Sequence, residues 1–510
     1  MRKFIICCFV LLMATKSFAA WPLRDTVEFS QRQGLPNFFA KATAGDSVRV
    51  GFLGGSITNA IGWRDNIMNW FKVRYNNNKI VQVNAAIGGT NSTYGVFRIE
   101  KDLLAKSNYD LIFIEFAVND SGTDPEVEKS IEGLFRKIWS KNPKTDICMI
   151  YTVAAAHLTD IAAGKMNMTA SKHDSIASYY KIPSVFMGLE TYHAIQSDTV
   201  SWYTPITDTK NEKNAQGQYV FTGDNTHPTV FGHNFYTKII SRSMAKMENV
   251  KGAFIHSIPT SIVANNYEQA HMIAISKTQN NGMTWVDKKG IYDFMDTYVS
   301  STPHDNYVCS ENPTSSYSFT FTGNKIGLAL LIGPSVGKYV IEIDKVAYPQ
   351  TAFDYYCSYY RQQSKTIDLA QGTHTFKVYP STDTMTIAQK TTVRTATDIA
   401  ANPAKYCFNN LIFSHIMIVG NIVEAPSAIN LVSDNSSDFI CYSRDGHIIL
   451  ETKNQLNATS IVSVFDTNGR MVCRERIYNQ LFKSAKLPNG IYSIHISGDS
   501  ENKTLKTIIK

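Results

Sequence analysis

The sequence predicts an α/β domain with a parallel sheet, followed by a β-sandwich and a small all-β unit. Between about residues 46 and 250, short apolar runs alternate with longer amphipathic segments. Strands that alternate with helices build parallel sheets covered on both faces. After about residue 250 the pattern changes to short alternating strands with many Ser, Thr and aromatic residues, which is typical of a β-sandwich.

Five buried strands and five helices are predicted in the first domain. Apolar runs indicate strands at residues 48–53, 80–85, 111–116, 147–152 and 184–187. Amphipathic segments indicate helices near residues 63–75, 94–104, 125–139, 168–180 and 228–247. Open sheets of this kind bind ligands beyond the carboxyl ends of their strands, so we expect a functional site there.

The second and third units are predicted from alternation and turn signals. Residues 338–344 and 373–379 alternate as sandwich strands do. From about residue 425 onward, Asp-Gly or Asn-Gly pairs mark turns at 445–446, 468–469 and 489–490. Since one hydrophobic core rarely serves more than roughly 300 residues, we expect domains at 21–250, 251–424 and 425–510.

The first 20 residues have the pattern of a secretory signal peptide. Arg2 and Lys3 precede an apolar stretch at 4–13, and small residues follow at 17–20. No later apolar run reaches the roughly 18 residues that span a bilayer. We therefore expect a mature chain from Trp21, exported to the periplasm, cell surface or medium without a transmembrane anchor.

The net charge and the cysteine spacing limit which classes of ligand the chain is expected to bind. A net charge of +7 is spread over 510 residues without a basic block, which argues against nucleic acid. None of the six cysteines after the signal peptide has metal-binding spacing, and neither a metal nor a cofactor is expected. Cys441 and Cys473 lie in predicted strands of one exported unit and are a candidate disulfide pair, whereas Cys148 is expected to be a buried thiol.

A candidate nucleophile follows the first predicted strand in Gly54-Gly55-Ser56-Ile57-Thr58. The two glycines allow a sharp turn that presents the Ser56 hydroxyl. The elbow of α/β-hydrolases would also require glycine at position 58, so that fold is disfavoured. A plain Gly/Ser turn is the alternative interpretation.

Two further strand ends carry candidate oxyanion donors. The segment NAAIGGT at residues 84–90 closes the second strand, and Gly89 can direct a backbone N–H at an oxyanion. The segment EFAVND at residues 115–120 closes the third strand and leaves the Asn119 carboxamide at its tip. Ordinary turns are the alternative for both.

A candidate general base precedes the last helix in Asp224-Asn225-Thr226-His227-Pro228. A carboxylate three residues before a histidine can hold one ring nitrogen while the other faces the serine. Pro228 suits the first turn of the helix. The alternative is a helix cap beside an exposed histidine, and His233 is expected to be a packing or surface residue.

In this order, GGSIT, NAAIGGTNS, EFAVND and DNTHP resemble the four sequence blocks of the SGNH (GDSL-like) hydrolase family, over about residues 46–247. The resemblance implies a flavodoxin-like three-layer α/β/α fold with Ser56 as nucleophile and Asp224 and His227 as its catalytic partners. It also implies an oxyanion hole built from the Ser56 and Gly89 amides and the Asn119 side chain.

Two positions depart from the family pattern. Gly55 stands where many members carry Asp, and Ala117 stands where glycine is often found. The serine remains, so these departures concern the subfamily, the substrate and the shape of the pocket.

The rest of the chain suggests a polysaccharide context. The insertion at residues 188–223 carries five aromatic rings that would either wall the site or pack the loop: Tyr192, His193, Trp202, Tyr203 and Tyr219. The sandwich weakly resembles modules of polysaccharide-acting esterases, and we prefer a buttressing role to glycan binding. The last unit is similar to the sorting domains of the Bacteroidetes type IX secretion route, which implies such a source and that machinery as a partner.

Together these features predict a secreted serine esterase that removes O-acyl groups, chiefly acetyl, from a polysaccharide or oligosaccharide. A lipase or thioesterase with the same chemistry is one alternative. A glycan-binding surface protein without activity is another.

Overall fold

The computed structural model describes residues 22–286, 306–394, 396–423, 439–452, 460–467, 469–476, 481–498 and 501–509. The predicted signal peptide, Trp21 and Asn468 lie outside these ranges. The chain divides into two compact units, Met1–Ile422 and Val423–Lys510. Among the described residues, no helix has both the length and the apolar character needed to cross a bilayer.

One six-stranded sheet organises residues 22–247. Its strands are β1 Phe29–Ser30, β2 Val48–Gly54, β3 Ile80–Asn84, β4 Leu111–Glu115, β5 Asp146–Tyr151 and β6 Ser184–Phe186. The order across the sheet is β1-β6-β5-β4-β2-β3. Strands β2 to β6 are parallel and have the strand order of flavodoxin-like sheets. The fold class is therefore confirmed.

The predicted five-stranded parallel sheet was wrong in one respect, because β1 adds a sixth, antiparallel strand. It pairs Phe29 with Val185 and Ser30 with Ser184 at the edge of the sheet. All five residues of β4 are buried, as expected of a strand covered on both faces.

Helices cover both faces of this sheet. They are α1 Pro36–Ala44, α2 Ser56–Asn59, α3 Trp63–Arg74, α4 Ser92–Ile99, α5 Glu126–Lys141, α6 Leu158–Ala162, α7 Met168–Tyr179, α8 Gly188–Gln196 and α9 Val230–Met247. Helix α3 packs against α9, and α5 packs against α4 and α7. Helix α4 continues as a π-helical turn over Glu100–Leu104. Pro228 is not in the first turn of α9, because the Thr229 side chain caps the helix and Val230 begins it.

A β-sandwich domain with a nine-stranded antiparallel sheet follows within the same unit. Its strands are β9 Ala270–Ala274, β10 Asn280–Asn281, β11 Thr284–Val286, β12 Tyr307–Ser310, β13 Ser316–Ile332, β14 Lys338–Ile343, β15 Val346–Thr351, β16 Arg361–Pro380 and β17 Leu411–Val423. Two very short strands, β7 Val200–Ser201 and β8 Tyr219–Val220, pair in the preceding insertion. Three short helices, α10 Ile387–Val393, α11 Ala396–Ala401 and α12 Pro403–Tyr406, lie between β16 and β17.

Buried contacts hold the sandwich against α4 and α5. The Phe97 and Tyr267 rings lie 5.9 Å apart, and the Tyr94 hydroxyl donates to Gln362 Oε1 at 3.2 Å. The Lys325 ammonium is buried and lies 2.6 Å from Glu126 Oε2. The sandwich therefore packs directly against helices α4 and α5, as a buttressing role requires.

The second unit contains two small antiparallel sheets. One consists of β18 Phe439–Arg444, β19 His447–Thr452 and β22 Leu481–Lys483. The other consists of β20 Ile461–Phe465, β21 Met471–Arg476, β23 Gly490–Gly498 and β24 Glu501–Ile509. Asp445 and Gly446, both with positive φ, turn the chain between β18 and β19, as their residue types predict.

The candidate disulfide between Cys441 and Cys473 is wrong. Both cysteines are free; Cys441 lies on β18 of one sheet and Cys473 on β21 of the other. Cys148 is a buried free thiol in β5, as predicted.

Candidate active site

Ser56 begins α2 immediately after β2, and close packing makes both preceding glycines necessary. A Cβ at Gly54 would lie 2.7 Å from the backbone oxygen of Glu115. A Cβ at Gly55 would lie 1.9 Å from Asn119 Oδ1. The sharp turn thus presents the Ser56 hydroxyl at the carboxyl end of β2. Strand β4, which ends in the Asn119 loop, is a neighbour of β2 in the sheet.

Ser56, His227 and Asp224 form one hydrogen-bonded chain. Ser56 Oγ lies 2.7 Å from His227 Nε2, and His227 Nδ1 lies 2.7 Å from Asp224 Oδ2. With a proton on Nδ1 shared with the carboxylate, Nε2 is free to accept the serine proton. The three predicted residues are therefore brought together in the arrangement of a serine nucleophile, a base and an orienting acid.

The Asp224 carboxylate is held by its own loop. Its Oδ1 accepts the backbone N–H groups of Thr226 at 3.1 Å and His227 at 2.8 Å, and Asn225 adopts a positive φ of 69° to complete the turn. Burial raises the pKa of Asp224, but these hydrogen bonds and the neighbouring His227 ring outweigh it and lower the pKa below its ordinary value. The carboxylate therefore stays ionised.

The two other predicted residues lie in the loops on either side of Ser56. Gly89 has a φ of 73°, a conformation that favours glycine, and the preceding Gly88 lies against Ser56 Cβ. Asn119 follows β4, and its Oδ1 is buried against Gly55 without a hydrogen-bond partner among the described residues. Both Gly89 and Asn119 line the cavity that contains Ser56.

Two buried carboxylates that the sequence did not single out brace these loops. Asp120 Oδ1 accepts the Ser92 N–H at 2.8 Å, and its Oδ2 lies 2.8 Å from His173 Nε2. This joins the loop after β3 to the loop after β4.

Glu115 is the second of these two buried carboxylates. It accepts the hydroxyls of Thr58 at 2.8 Å and Thr152 at 2.6 Å, and burial raises its pKa, against the opposing effect of these hydrogen bonds. It ties the nucleophile turn to the end of β5.

The cavity has a volume of about 860 Å³ and draws its walls from both parts of the first unit. The α/β part contributes the strand ends that carry Ser56, Gly89 and Asn119, and His227 from the loop before α9. The sandwich contributes Tyr356, Tyr359, Arg361 and Gln363, none of which the sequence placed at the site. The cluster of tyrosines before β16 is visible in the sequence, but no local pattern linked it to the site.

Arg361 anchors the sandwich contribution beside the oxyanion loop. It is buried and paired with Asp354, and its Cδ lies 3.9 Å from the position a Gly89 Cβ would occupy. The Tyr356 and Tyr359 rings remain more than half exposed, at 59% and 54%. The sandwich thus does more than buttress, because it forms one wall of the cavity.

The aromatic residues of the 188–223 insertion do not line this cavity. Trp202 stacks on Phe221 with ring centroids 5.3 Å apart, and Tyr219 stacks on Phe231 at 4.3 Å. Of the two alternatives left open, packing of the loop onto the domain is the one observed. Across the described ranges, His, Cys, Asp and Glu side chains form no group of three or more that could hold a metal ion.

The strand order and the contacts among Ser56, His227 and Asp224 are those expected of an SGNH-type domain. Comparison with family models agrees, because residues 52–235 match the GDSL-like Lipase/Acylhydrolase family. Residues 444–510 match the secretion system C-terminal sorting domain. The chain therefore contains a GDSL-like lipase/acylhydrolase domain and a C-terminal sorting domain. No curated protein sequence matches the chain.

Solved structures share the two-domain fold of the first unit. A two-domain esterase active on acetylated mannans aligns with a TM-score of 0.55 and 20% identity, over 75% of this chain and 93% of that chain. Its co-crystal with mannopentaose aligns over the same shares, with a TM-score of 0.54 and 20% identity. An acetyl xylan esterase aligns at 19% identity over 38% of this chain and 99% of that chain, with a TM-score of 0.29.

Proposed function

We propose that this protein is a secreted serine esterase that hydrolyses O-acyl, chiefly O-acetyl, esters on a polysaccharide or oligosaccharide. The observation that carries the proposal is the chain of two 2.7 Å contacts from Ser56 Oγ through His227 to Asp224 at the wall of an open cavity. Core packing does not account for His227 and Asp224, since both side chains are about half exposed.

In the first half-reaction, His227 Nε2 takes the proton of the Ser56 hydroxyl while Oγ attacks the ester carbonyl carbon. The carbonyl oxygen becomes an oxyanion, stabilised by the Ser56 and Gly89 amides and the Asn119 carboxamide. The imidazolium, balanced by Asp224, then protonates the departing sugar oxygen. The products of this step are a free sugar hydroxyl and an acyl group on Ser56.

In the second half-reaction, a water molecule gives its proton to His227 and attacks the acyl carbon through the same oxyanion. Collapse of this intermediate returns the proton to Ser56 Oγ and releases the carboxylic acid. The residues of this chain supply the nucleophile, the base and the oxyanion donors for both halves.

A carbohydrate leaving group is supported by the sandwich wall. Half-exposed tyrosine rings such as Tyr356 and Tyr359 offer flat apolar faces with a polar edge, and these suit the faces of sugar rings. A structural neighbour that shares the two-domain fold is an esterase active on acetylated mannans, which supports the same class of substrate. The sorting domain and the predicted signal peptide support action at the cell surface or outside the cell.

Acetate release from a panel of acetylated polysaccharides and from an aryl acetate tests the proposal. Wild type should release acetate from both, and Ser56→Ala should reduce release by at least about 1000-fold. Ser197→Ala, at an exposed serine that does not line the cavity, is the matched control and should leave release unchanged. Release from long-chain acyl esters alone would favour a lipase, and glycan binding without release would favour a binding protein.

A further inference from the structure

The turn that follows β5 brings a histidine outside the Ser56, His227 and Asp224 chain to the wall of the cavity. Residues Ala155–His157 form one 3₁₀ turn. His157 lines the same cavity as Ser56 and His227. The proposed mechanism gives this side chain no role.

The tautomer of His157 is set by the backbone N–H of Ala154. Its Nδ1 accepts the N–H of Ala154 at 3.2 Å, and an imidazole nitrogen that accepts carries no proton. The neutral ring therefore carries its proton on Nε2. Burial lowers the pKa of His157 below its ordinary value, so the ring is neutral near pH 7. Among the described residues, none takes the Nε2 proton.

The turn lies beside the leaving-group side of the proposed reaction. The Ala155 N–H donates to the backbone oxygen of Asn225 at 3.2 Å, which joins the turn to the loop that carries Asp224 and His227. His227 protonates the departing oxygen, so the wall next to it faces the alcohol part of the ester. The oxyanion loop with Gly89 follows β3, which lies beyond β4 and β2 in the sheet.

We propose that His157 is a substrate-binding residue whose Nε2–H donates a hydrogen bond to a hydroxyl or ring oxygen of the ester-bearing sugar. The ligand class is a polyol leaving group, in which an oxygen acceptor lies next to the esterified position. This inference rests on the proposed esterase function. The Nε2–H of His157 therefore favours sugar esters over esters of simple alcohols and phenols, because the alcohol part of the latter offers no second oxygen to this donor.

Two substitutions divide the functions of the two ring nitrogens. His157→Asn keeps an acceptor near Nδ1 for the Ala154 N–H but removes the donor at Nε2. His157→Gln extends an amide donor to about the position of Nε2. His193→Asn, at an exposed histidine outside the cavity, is the matched control.

The experiment compares kcat/KM for an acetylated oligosaccharide and for an aryl acetate in these variants. His157→Asn should lower the value for the oligosaccharide by about threefold to tenfold, the worth of one hydrogen bond, and leave aryl acetate within twofold. His157→Gln should recover most of the loss. Equal losses on both esters, no loss on the oligosaccharide, or a Gln variant as poor as Asn would overturn the inference.

The same measurement separates this inference from the proposed function. If wild type hydrolyses both esters and the His157 variants match the His193 control, only the role of His157 is wrong. If wild type releases no acetate from either ester, the esterase proposal fails and the inference fails with it.

Discussion

Gly55 and Asn119 share the space beside the proposed nucleophile, and each determines what the other position can hold. The Asn119 side chain fills the position that any Cβ at residue 55 would need. This gives a physical reason for the glycine at position 55.

Adding one methyl group at residue 55 is expected to disable the oxyanion hole. Gly55→Ala should displace the Asn119 carboxamide and lower kcat by about 100-fold, comparable to the loss of one oxyanion donor, with KM little changed. Steady-state kinetics on aryl acetate measures this. In an Asn119→Ala background, the space is vacated and Gly55→Ala should cost little more. Additive losses in the double variant would contradict the shared-space explanation.

At the scale of single residues, short sequence motifs were enough to select five residues that the fold places close together, while their catalytic roles stay predictions. Ser56, Gly89 and Asn119 follow strands whose carboxyl ends meet at one edge of the sheet, and Asp224 and His227 lie in the short motif before α9. Such motifs were not enough for His157 or for Asp120, whose roles depend on partners such as Ala154 and Ser92 that have no sequence pattern of their own.

Helix α3 begins against a histidine of α9, and this contact links two elements on one face of the sheet. His233 Nδ1 accepts the Trp63 N–H at 3.3 Å, and Gly62 leaves the imidazole room, since a Cβ there would lie 2.3 Å from His233 Cγ. Burial, reinforced by the charge of His227, lowers the pKa of His233 to about 4. His233 is a packing residue that caps a neighbouring helix in its neutral form.

This contact predicts a pH dependence of stability. An unfolded histidine has a pKa of about 6.5, so the folded state favours the neutral ring. The contribution of His233 is complete above pH 6.5 and is lost as the pH falls towards about 4. The unfolding midpoint of wild type should therefore fall over this window more steeply than that of His233→Asn. With His193→Asn as control, identical slopes for wild type and His233→Asn would contradict the account.

Prediction of the strands succeeded where burial on both faces imposed a continuous apolar run on the sequence. The five parallel strands were found within about two residues because continuous apolar runs are typical of strands covered on both faces. The edge strand β1 was missed because two residues carry no periodicity. The start of α9 was misplaced because Thr229, and not the residues before Pro228, supplies the capping oxygen.

For the first unit as a whole, the sandwich is part of the candidate site. The contacts of Gln362 with Tyr94 and of Lys325 with Glu126 hold it on α4 and α5, and this carries residues 356–363 to the cavity wall. Sequence separation explains why this was not predicted. Arg361 and Gly89 are 272 positions apart, and no local pattern indicates which loop of a second domain reaches a site.

The tyrosines of this wall are expected to act on sugar binding and not on the chemical step. Replacing both Tyr356 and Tyr359 by Ala should raise KM for an acetylated polysaccharide by about tenfold, as expected from the loss of two ring contacts, and leave kcat for aryl acetate unchanged. Tyr355→Ala is the matched control, because Tyr355 is equally exposed but does not line the cavity. An equal effect of the control variant would argue against a sugar-binding wall.

The central claim is that Ser56 is the nucleophile activated by His227. Peptide mapping by mass spectrometry after reaction of the full chain with a fluorophosphonate tests it most directly, because this reagent forms a stable adduct with an activated serine. The account predicts one modified residue, Ser56, and loss of the adduct in His227→Ala. An unmodified Ser56 in folded wild type, or an adduct that persists without His227, would contradict it.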